Sequence, residues 1–302
     1  MHECKTLFFL LCKCAAITSA IEFNFKLKLT LTNHMGHIST NTVFHFTIRT
    51  NLLGILKDNF LPKYSTETVH LFGAASVEIA IPMISFCDIP LSQIKEHVQD
   101  YGSYGIGMTK SWAFKSGLNP VIYLKKNSVL SNQFKNIFSS KEFNKEVSKT
   151  LERCVPSSQE VTLDTGINML PPILLSFFSL INSLCYVKEY EGFSTKSKRK
   201  KVFYNEREWR YVPYSQETMG YLLQPKPALD TQEKIMAANS KIKNAKLNFI
   251  PTDINYIIVK KDIEILEMIK ELEKIRGSKY SADTIKRLTS RIITYEQIKN
   301  DF

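Results

Sequence analysis

The stretch IPMISFCDIPLSQIKEHVQDYGSYGIGMTKSWAFKSGLNPVIYL, residues 81–124, alternates strand and helix patterns over short intervals. It opens inside an apolar, extended run, EIAIPMISFCDIP (78–90). Pro82 and Pro90 predict an edge or irregular strand there, because proline has no N–H to give to a ladder. LSQIKEHVQDY (91–101) has the apolar spacing of a short amphipathic helix. GSYGIGMT (102–109) places glycines at a turn that leads into a strand. A phosphate loop needs the reverse order, with the glycine turn opening a helix, so these glycines are read as a turn. SWAFKSG (111–117) is a helical turn closed by Gly117, and NPVIYLK (119–125) is another strand. Short strands mixed with short helices predict an α+β fold with one mixed core.

Upstream, VFHFTI (43–48) alternates and is rich in strand formers. Thr50 or Asn51 is placed to cap a helix running to about Asn59. Downstream, residues 128–191 read as a helical insertion. Helical spacing runs through NQFKNIFSSKEFNKEVSKTLERC, and a second helix, MLPPILLSFFSLINSLCYVKEY, carries Pro171 and Pro172 near its start. That second stretch is only about 20 residues long and contains Ser, Asn and Cys, which favours a buried helix over a membrane span. A basic loop, KSKRKK (196–201), closes the insertion. EREWRYVPY (206–214) and NYIIVKK (255–261) return to strand. KDIEILEMIKELEKIRG and SADTIKRLTSR are helical, and IITYEQIKNDF ends the chain. The strands are expected to be few and short.

The N-terminus has another character. LFFLLCKCAAITSAI (7–21) resembles a weak signal peptide, but Lys13 interrupts its apolar run. Domain-like patterning begins only after Met35. Residues 1–34 are therefore expected to be an extrinsic extension, and 35–302 a single domain. The six cysteines form no C-x-x-C pair or Cys/His cluster of zinc spacing, so no metal site is expected. Spread over 302 residues, they fit free thiols in a reducing cytoplasm better than a disulfide framework. The net charge of +11 permits a polyanionic partner without requiring one.

Several residue sets carry potential chemistry. His45 and Thr47 lie two apart on one strand and face the same way, as a polar pocket lining or a satisfied core pair. In EREWR, strand alternation puts Glu206, Glu208 and Arg210 on one face. Paired carboxylates there could stabilise a developing oxocarbenium ion at a ribose carbon, or form a solvated face offset by Arg210. Cys87, Asp88 and His97 form a possible nucleophile set, opposed by the polar neighbours of His97, which place it on a wet face. KSKRKK could grip nucleic acid or an acidic partner, but no aromatic residue interrupts it.

ISTNTVFHFT (38–47), the 81–124 stretch, EREWRYVP (206–213) and FIPTDINYIIVK (249–260) together resemble the AbiGi family of abortive-infection, phage-resistance proteins. The resemblance covers about residues 38–302. It implies the antitoxin of a two-gene system and a nucleotidyltransferase-like toxin encoded nearby as partner. A second resemblance concerns fold. A strand with H-x-T followed by a late E-x-E is similar to ADP-ribosyltransferases. That pattern implies NAD as cofactor, with His45 on the nicotinamide ribose and Glu208 stabilising the transition state. Thr47 and Glu206 fill the companion positions. The middle S-T-S motif is missing, and Ser85 is the nearest substitute.

Overall fold

A computed structural model describes residues 40–69, 77–154, 171–194, 196–213, 224–277 and 279–301. The expected extension, 1–34, lies outside them. The main sheet has nine strands. Its path runs β13 (Ile292–Thr294), β12 (Ile254–Val259), β4 (Tyr104–Thr109), β1 (Thr42–Thr47), β3 (Val77–Cys87), β10 (Glu208–Tyr211) and β5 (Asn119–Pro120). β2 (Lys63–Val69) and β11 (Gln224–Pro225) pair with the first half of β3. Every pairing in this sheet is antiparallel except β12 with β13. The α+β reading therefore holds, but the strands are neither few nor uniformly short.

The largest departure is β3. Expected as an edge, it is an 11-residue strand at the centre of the sheet. Pro82 is tolerated through its register. It sits opposite Tyr64, whose N–H turns away and donates to Asn239 Oδ1 at 2.9 Å. On the other flank, β10 pairs with Ile84–Cys87 and β11 with Ile79 and Ala80. Pro82 falls in the gap between them, where its missing N–H breaks no ladder.

The helices follow the sequence more closely. α1 (Arg49–Asp58) forms as expected, but its cap residue is Ile48 and no side chain caps it. Asn51 instead donates to Thr47 Oγ1 at 3.1 Å. α2 (Lys95–Tyr101) and α3 (Lys110–Lys115) flank β4. The insertion holds α4 (Val129–Ser139), α5 (Lys141–Cys154) and α6 (Pro172–Leu184). Its helical part stops at Leu184 rather than 191. Residues beyond it form β7 (Val187–Glu189), which pairs in parallel with β6 (Ile122–Leu124). KSKRKK is part of a hairpin, not a free loop: it spans the turn and most of β9 (Arg199–Val202), which pairs with β8 (Glu191–Ser194). Glu206 stands in a short 3-10 turn, Phe203–Glu206, before β10 begins. α7 (Gln232–Lys241), capped by Thr231, has no counterpart in the sequence reading. α8 (Ile265–Arg276), α9 (Ala282–Thr289) and α10 (Tyr295–Asp301) complete the chain.

Strand alternation divides the sheet into two faces. On one face Val43, Ile84, Phe86, Ile106, Met108 and Trp209 bury against Leu52, Leu56, Met268 and Leu272 of α1 and α8. The opposite face carries two apolar clusters. Phe44, Phe46 and Cys87 pack with Ile94, Val98 and Ile298. Ile79, Ile81 and Met83 pack with Leu124, Phe138 and Leu184 of the insertion and its flanks. Gly105 and Gly107 sit opposite Phe46 and Phe44 in register. A Cβ on Gly107 would lie 2.8 Å from the Phe44 ring, so these glycines make room for the aromatic pair. Between the two clusters, the same face presents Ser85, Glu208 and Arg210.

Candidate functional site

Arg210 is fully buried and satisfies its guanidinium on four acceptors. Nε donates to Glu208 Oε1 at 2.7 Å, and Nη2 to Glu208 Oε2 at 3.2 Å and to Glu67 Oε1 at 2.9 Å. Nη1 donates to the Cys185 carbonyl at 2.9 Å. Glu208 also accepts from Ser85 Oγ at 2.6 Å and from Lys188 Nζ at 2.8 Å. The same ammonium reaches Glu206 Oε2 at 2.7 Å. The other Glu206 oxygen takes Lys201 Nζ at 3.0 Å and Tyr101 OH at 3.1 Å. Lys201 continues to Asp100 at 2.5 Å. The result is a continuous chain of alternating charge, Glu67–Arg210–Glu208–Lys188–Glu206–Lys201–Asp100.

Local structure explains how this comes about. Glu208 and Arg210 share a face of β10, as alternation predicts. Glu206 does not belong to that strand. Arg207 adopts a left-handed conformation, φ 44°, which turns the chain between the two glutamates. Arg207 is held there by a backbone bond from Asp88 N–H to its carbonyl at 3.1 Å and by its own Nε on the Asp88 carbonyl. The expected face-sharing of Glu206 and Glu208 is thus reached by a turn and a shared lysine rather than by pleating.

Burial alone raises the Glu208 carboxyl, but Arg210 and Lys188 outweigh it and hold it well below the usual carboxylate range. Glu206 behaves likewise, with burial outweighed by Lys188 and Lys201. Burial would depress the Lys188 ammonium, yet Glu208, Glu67 and Glu206 push it well above its ordinary value. Burial, reinforced by Glu206, raises the Tyr101 hydroxyl far up. Glu208, Glu206 and Lys188 are thus held charged and Tyr101 protonated, the form each partner needs. Each Glu208 oxygen accepts two bonds, which fills the roughly four lone-pair sites of a carboxylate. Nothing remains for a substrate proton or an anomeric carbon.

His45 is on the other side of the sheet. Phe44 and Glu208 both sit opposite Cys87, so they share one face and His45 takes the other. Its ring lies 5.5 Å from Phe60 and 5.6 Å from Phe86. Burial lowers its pKa, and Nδ1–H donates to the Ser85 carbonyl at 2.8 Å. His45 is a half-buried, hydrogen-bonded histidine packed on core rings, and Thr47, on the same face, is buried as the acceptor from Asn51. A nicotinamide ribose would have to touch His45 and Glu208 together, and the sheet lies between them. These residues do not fit the NAD site that the H-x-T and E-x-E resemblance implies. Ser85, the substitute for the middle motif, is instead a hydrogen-bond donor at the centre of the ionic chain.

The nucleophile set fails on its own terms. Cys87 is buried, and burial together with Glu206 and Asp88 drives its thiol well above the ordinary value. His97 is not on a wet face. It is buried, its ring stacks on Tyr101 at 5.4 Å, and burial lowers its pKa to about 4. Asp88 pairs with Lys110 at 2.7 Å.

The sequence reading missed Glu67, Asp100, Tyr101 and Lys188, and placed Lys201 only within the basic run KSKRKK. They are scattered over four separate segments, and only the fold assembles them. The signal that was available is Arg210, which stands between Trp209 and Tyr211 in a strand whose neighbours are apolar.

A family model described as "Putative abortive phage resistance protein AbiGi, antitoxin" matches residues 58–260. That span contains every charged member of the network. A protein from Lactococcus lactis subsp. cremoris named "Abortive phage resistance protein AbiGi" is 27% identical over 266 residues, covering 80% of this chain and 99% of that protein. No solved structure matches the chain. No helix among the described residues is long and apolar enough to cross a membrane.

Proposed function

The chain belongs to the AbiGi family of abortive phage resistance proteins, and from that membership we propose that it is the antitoxin of a two-gene phage-defence system. It acts in the cytoplasm by binding and neutralising a toxin encoded nearby, of nucleotidyltransferase-like type. The observation that carries this reading is the family match across 58–260, over the central strands and the whole ionic chain. The state of the carboxylates supports it: Glu208 is saturated with donors and Glu206 is clamped by two lysines, which suits a rigid binding scaffold better than acid–base work. The network fastens β7 and the β8–β9 hairpin to the sheet, so the surface these elements present is held in one shape.

The test is co-expression of the full chain with the product of the adjacent gene, scored for growth. Rescue is expected, together with co-purification of the two proteins. Persistent toxicity at equal soluble expression of the antitoxin overturns the reading. Glu208→Gln is a poor probe of catalysis here, because it breaks the network, so loss of rescue must be read beside the folded fraction.

A further inference from the structure

We propose that the β8–β9 hairpin and the tyrosine pair at its base form a binding surface for single-stranded nucleic acid. The hairpin has two unlike faces. Phe193 sits opposite Lys200 in register, and Gly192 opposite Lys201. Alternation therefore puts Phe193 and Lys200 side by side on one face and Lys201 on the other. Lys201 turns inward to Asp100 and Glu206. Phe193 is 63% exposed. Lys198, Arg199 and Lys200 are exposed and form no ion pair among the described residues, unlike Lys188 and Lys201 a few residues away.

At the base of the hairpin, Tyr190 and Tyr204 stack at 5.5 Å with planes 24° apart. They are 36% and 46% exposed. The Tyr204 N–H donates to the Tyr190 carbonyl at 3.2 Å, which fixes the pair to the hairpin. Sequence reading found no aromatic residue within the basic run, and the fold supplies them from either side of it. Lys200 beside the exposed Phe193 ring, with Lys198 and Arg199 next to it in the hairpin and the tyrosine pair at its base, matches both parts of a single strand: phosphates for the cations and unstacked bases for the rings. A duplex offers the phosphates but keeps its bases stacked. An acidic protein would engage the same cations, and the test below separates the two. The chain's excess of basic residues, +11 overall, favours the approach of any polyanion.

The test is fluorescence anisotropy of the full chain with a labelled, non-self-complementary RNA of about 12 nucleotides, within the usual site size for such surfaces, and with a labelled duplex for comparison. The single strand should bind more tightly than the duplex and weaken as salt rises. Joint replacement of Lys198, Arg199 and Lys200 by Gln should flatten the log–log salt dependence by about 2, at roughly 0.7 for each phosphate no longer neutralised. Phe193→Ala or Tyr204→Ala should weaken binding about tenfold, with Tyr204→Phe near the parent. Circular dichroism checks that each variant is folded, and Phe193 and the three basic residues are exposed enough to be replaced without loss of core. Absence of binding at low salt, preference for duplex, or affinity unmoved by these substitutions overturns the proposal. So does a triple variant that keeps RNA affinity but no longer captures the toxin, which assigns the face to an acidic protein. This binding is separate from toxin neutralisation, and either can fail while the other stands.

Discussion

Arg210→Met removes the most deeply buried cation of the ionic chain while keeping an unbranched, apolar side chain that can fill most of its space. Arg210 is fully buried and makes four hydrogen bonds, three of them to carboxylates. The substitution leaves Glu208 with Lys188 as its sole cation and deprives Glu67 of its partner. Breaking a buried ion pair from one side costs about 3–5 kcal/mol, because the remaining charge stays buried without its counterion. Arg210→Met should therefore lower stability by about that amount. For a unit of this size it should lower Tm by roughly 6–20 °C. Equilibrium urea unfolding, followed by circular dichroism, measures it. The double variant Glu208→Gln with Arg210→Met removes both charges of the doubly bonded pair and should be less destabilised than the sum of the single variants by more than about 1 kcal/mol. A single variant within about 1 kcal/mol of the parent, or strictly additive costs, would refute the claim that this network is a coupled, stability-bearing unit.

Three further outcomes follow, the first two from the same face of the sheet and the third from α1 on the other. His97 has a folded pKa of about 4, below the ordinary value of 6.5, so the unfolded chain takes up the proton first as pH falls. The stability contributed by neutral His97 should be complete above about pH 6.5 and lost progressively down to about pH 4, by about 3 kcal/mol in all. Urea midpoints across that window should show the slope in the parent and lose it in His97→Phe, and equal slopes would remove His97 as the cause. Gly107→Ala should destabilise by about 1–3 kcal/mol, because its Cβ would meet the Phe44 ring at 2.8 Å and the Thr42 methyl at 2.9 Å. Gly54→Ala, in α1 with nothing within 4 Å of its Cβ, should stabilise by up to about 1 kcal/mol, and thermal melts of the two should move in opposite directions.

What was legible in the sequence was local. The period of VFHFTI marked β1, the spacing of LSQIKEHVQDY marked α2, and the periodic stretch after Lys261 marked α8, because each pattern is set by which side chains one element must bury. The proline rule misplaced β3, because it speaks of the N–H that proline lacks and not of where the neighbouring strands end. The gap opposite Pro82 is made by β10 and β11, more than 120 residues away in the chain. The insertion was extended past Leu184 for a similar reason. YVKEY contains nothing against helix, and only its partner β6 makes Val187–Glu189 a strand.

The site failed to be legible in a more instructive way. H-x-T was read correctly as a same-face pair, and the two glutamates of E-x-E meet only through the turn at Arg207 and Lys188, but alternation within a strand says nothing about which of two faces a different strand presents. That is decided by register, and a shift of one residue exchanges the faces. Here Phe44, not His45, is the residue aligned with Cys87 and Glu208. Had His45 been the one aligned, the histidine and the glutamate would look into a common space. The register that occurs satisfies both faces at once. It sends Phe44 and Phe46 over the two glycines of β4, puts His45 among Phe60 and Phe86 with its Nδ1 satisfied, and leaves Glu208 to the cations arriving from β7 and its own strand. Shifting β1 by one residue would place the phenyl rings where no glycine makes room and take His45 off the Ser85 carbonyl. Packing on the glycines and the His45 hydrogen bond therefore select the same register, and that register separates the two motifs.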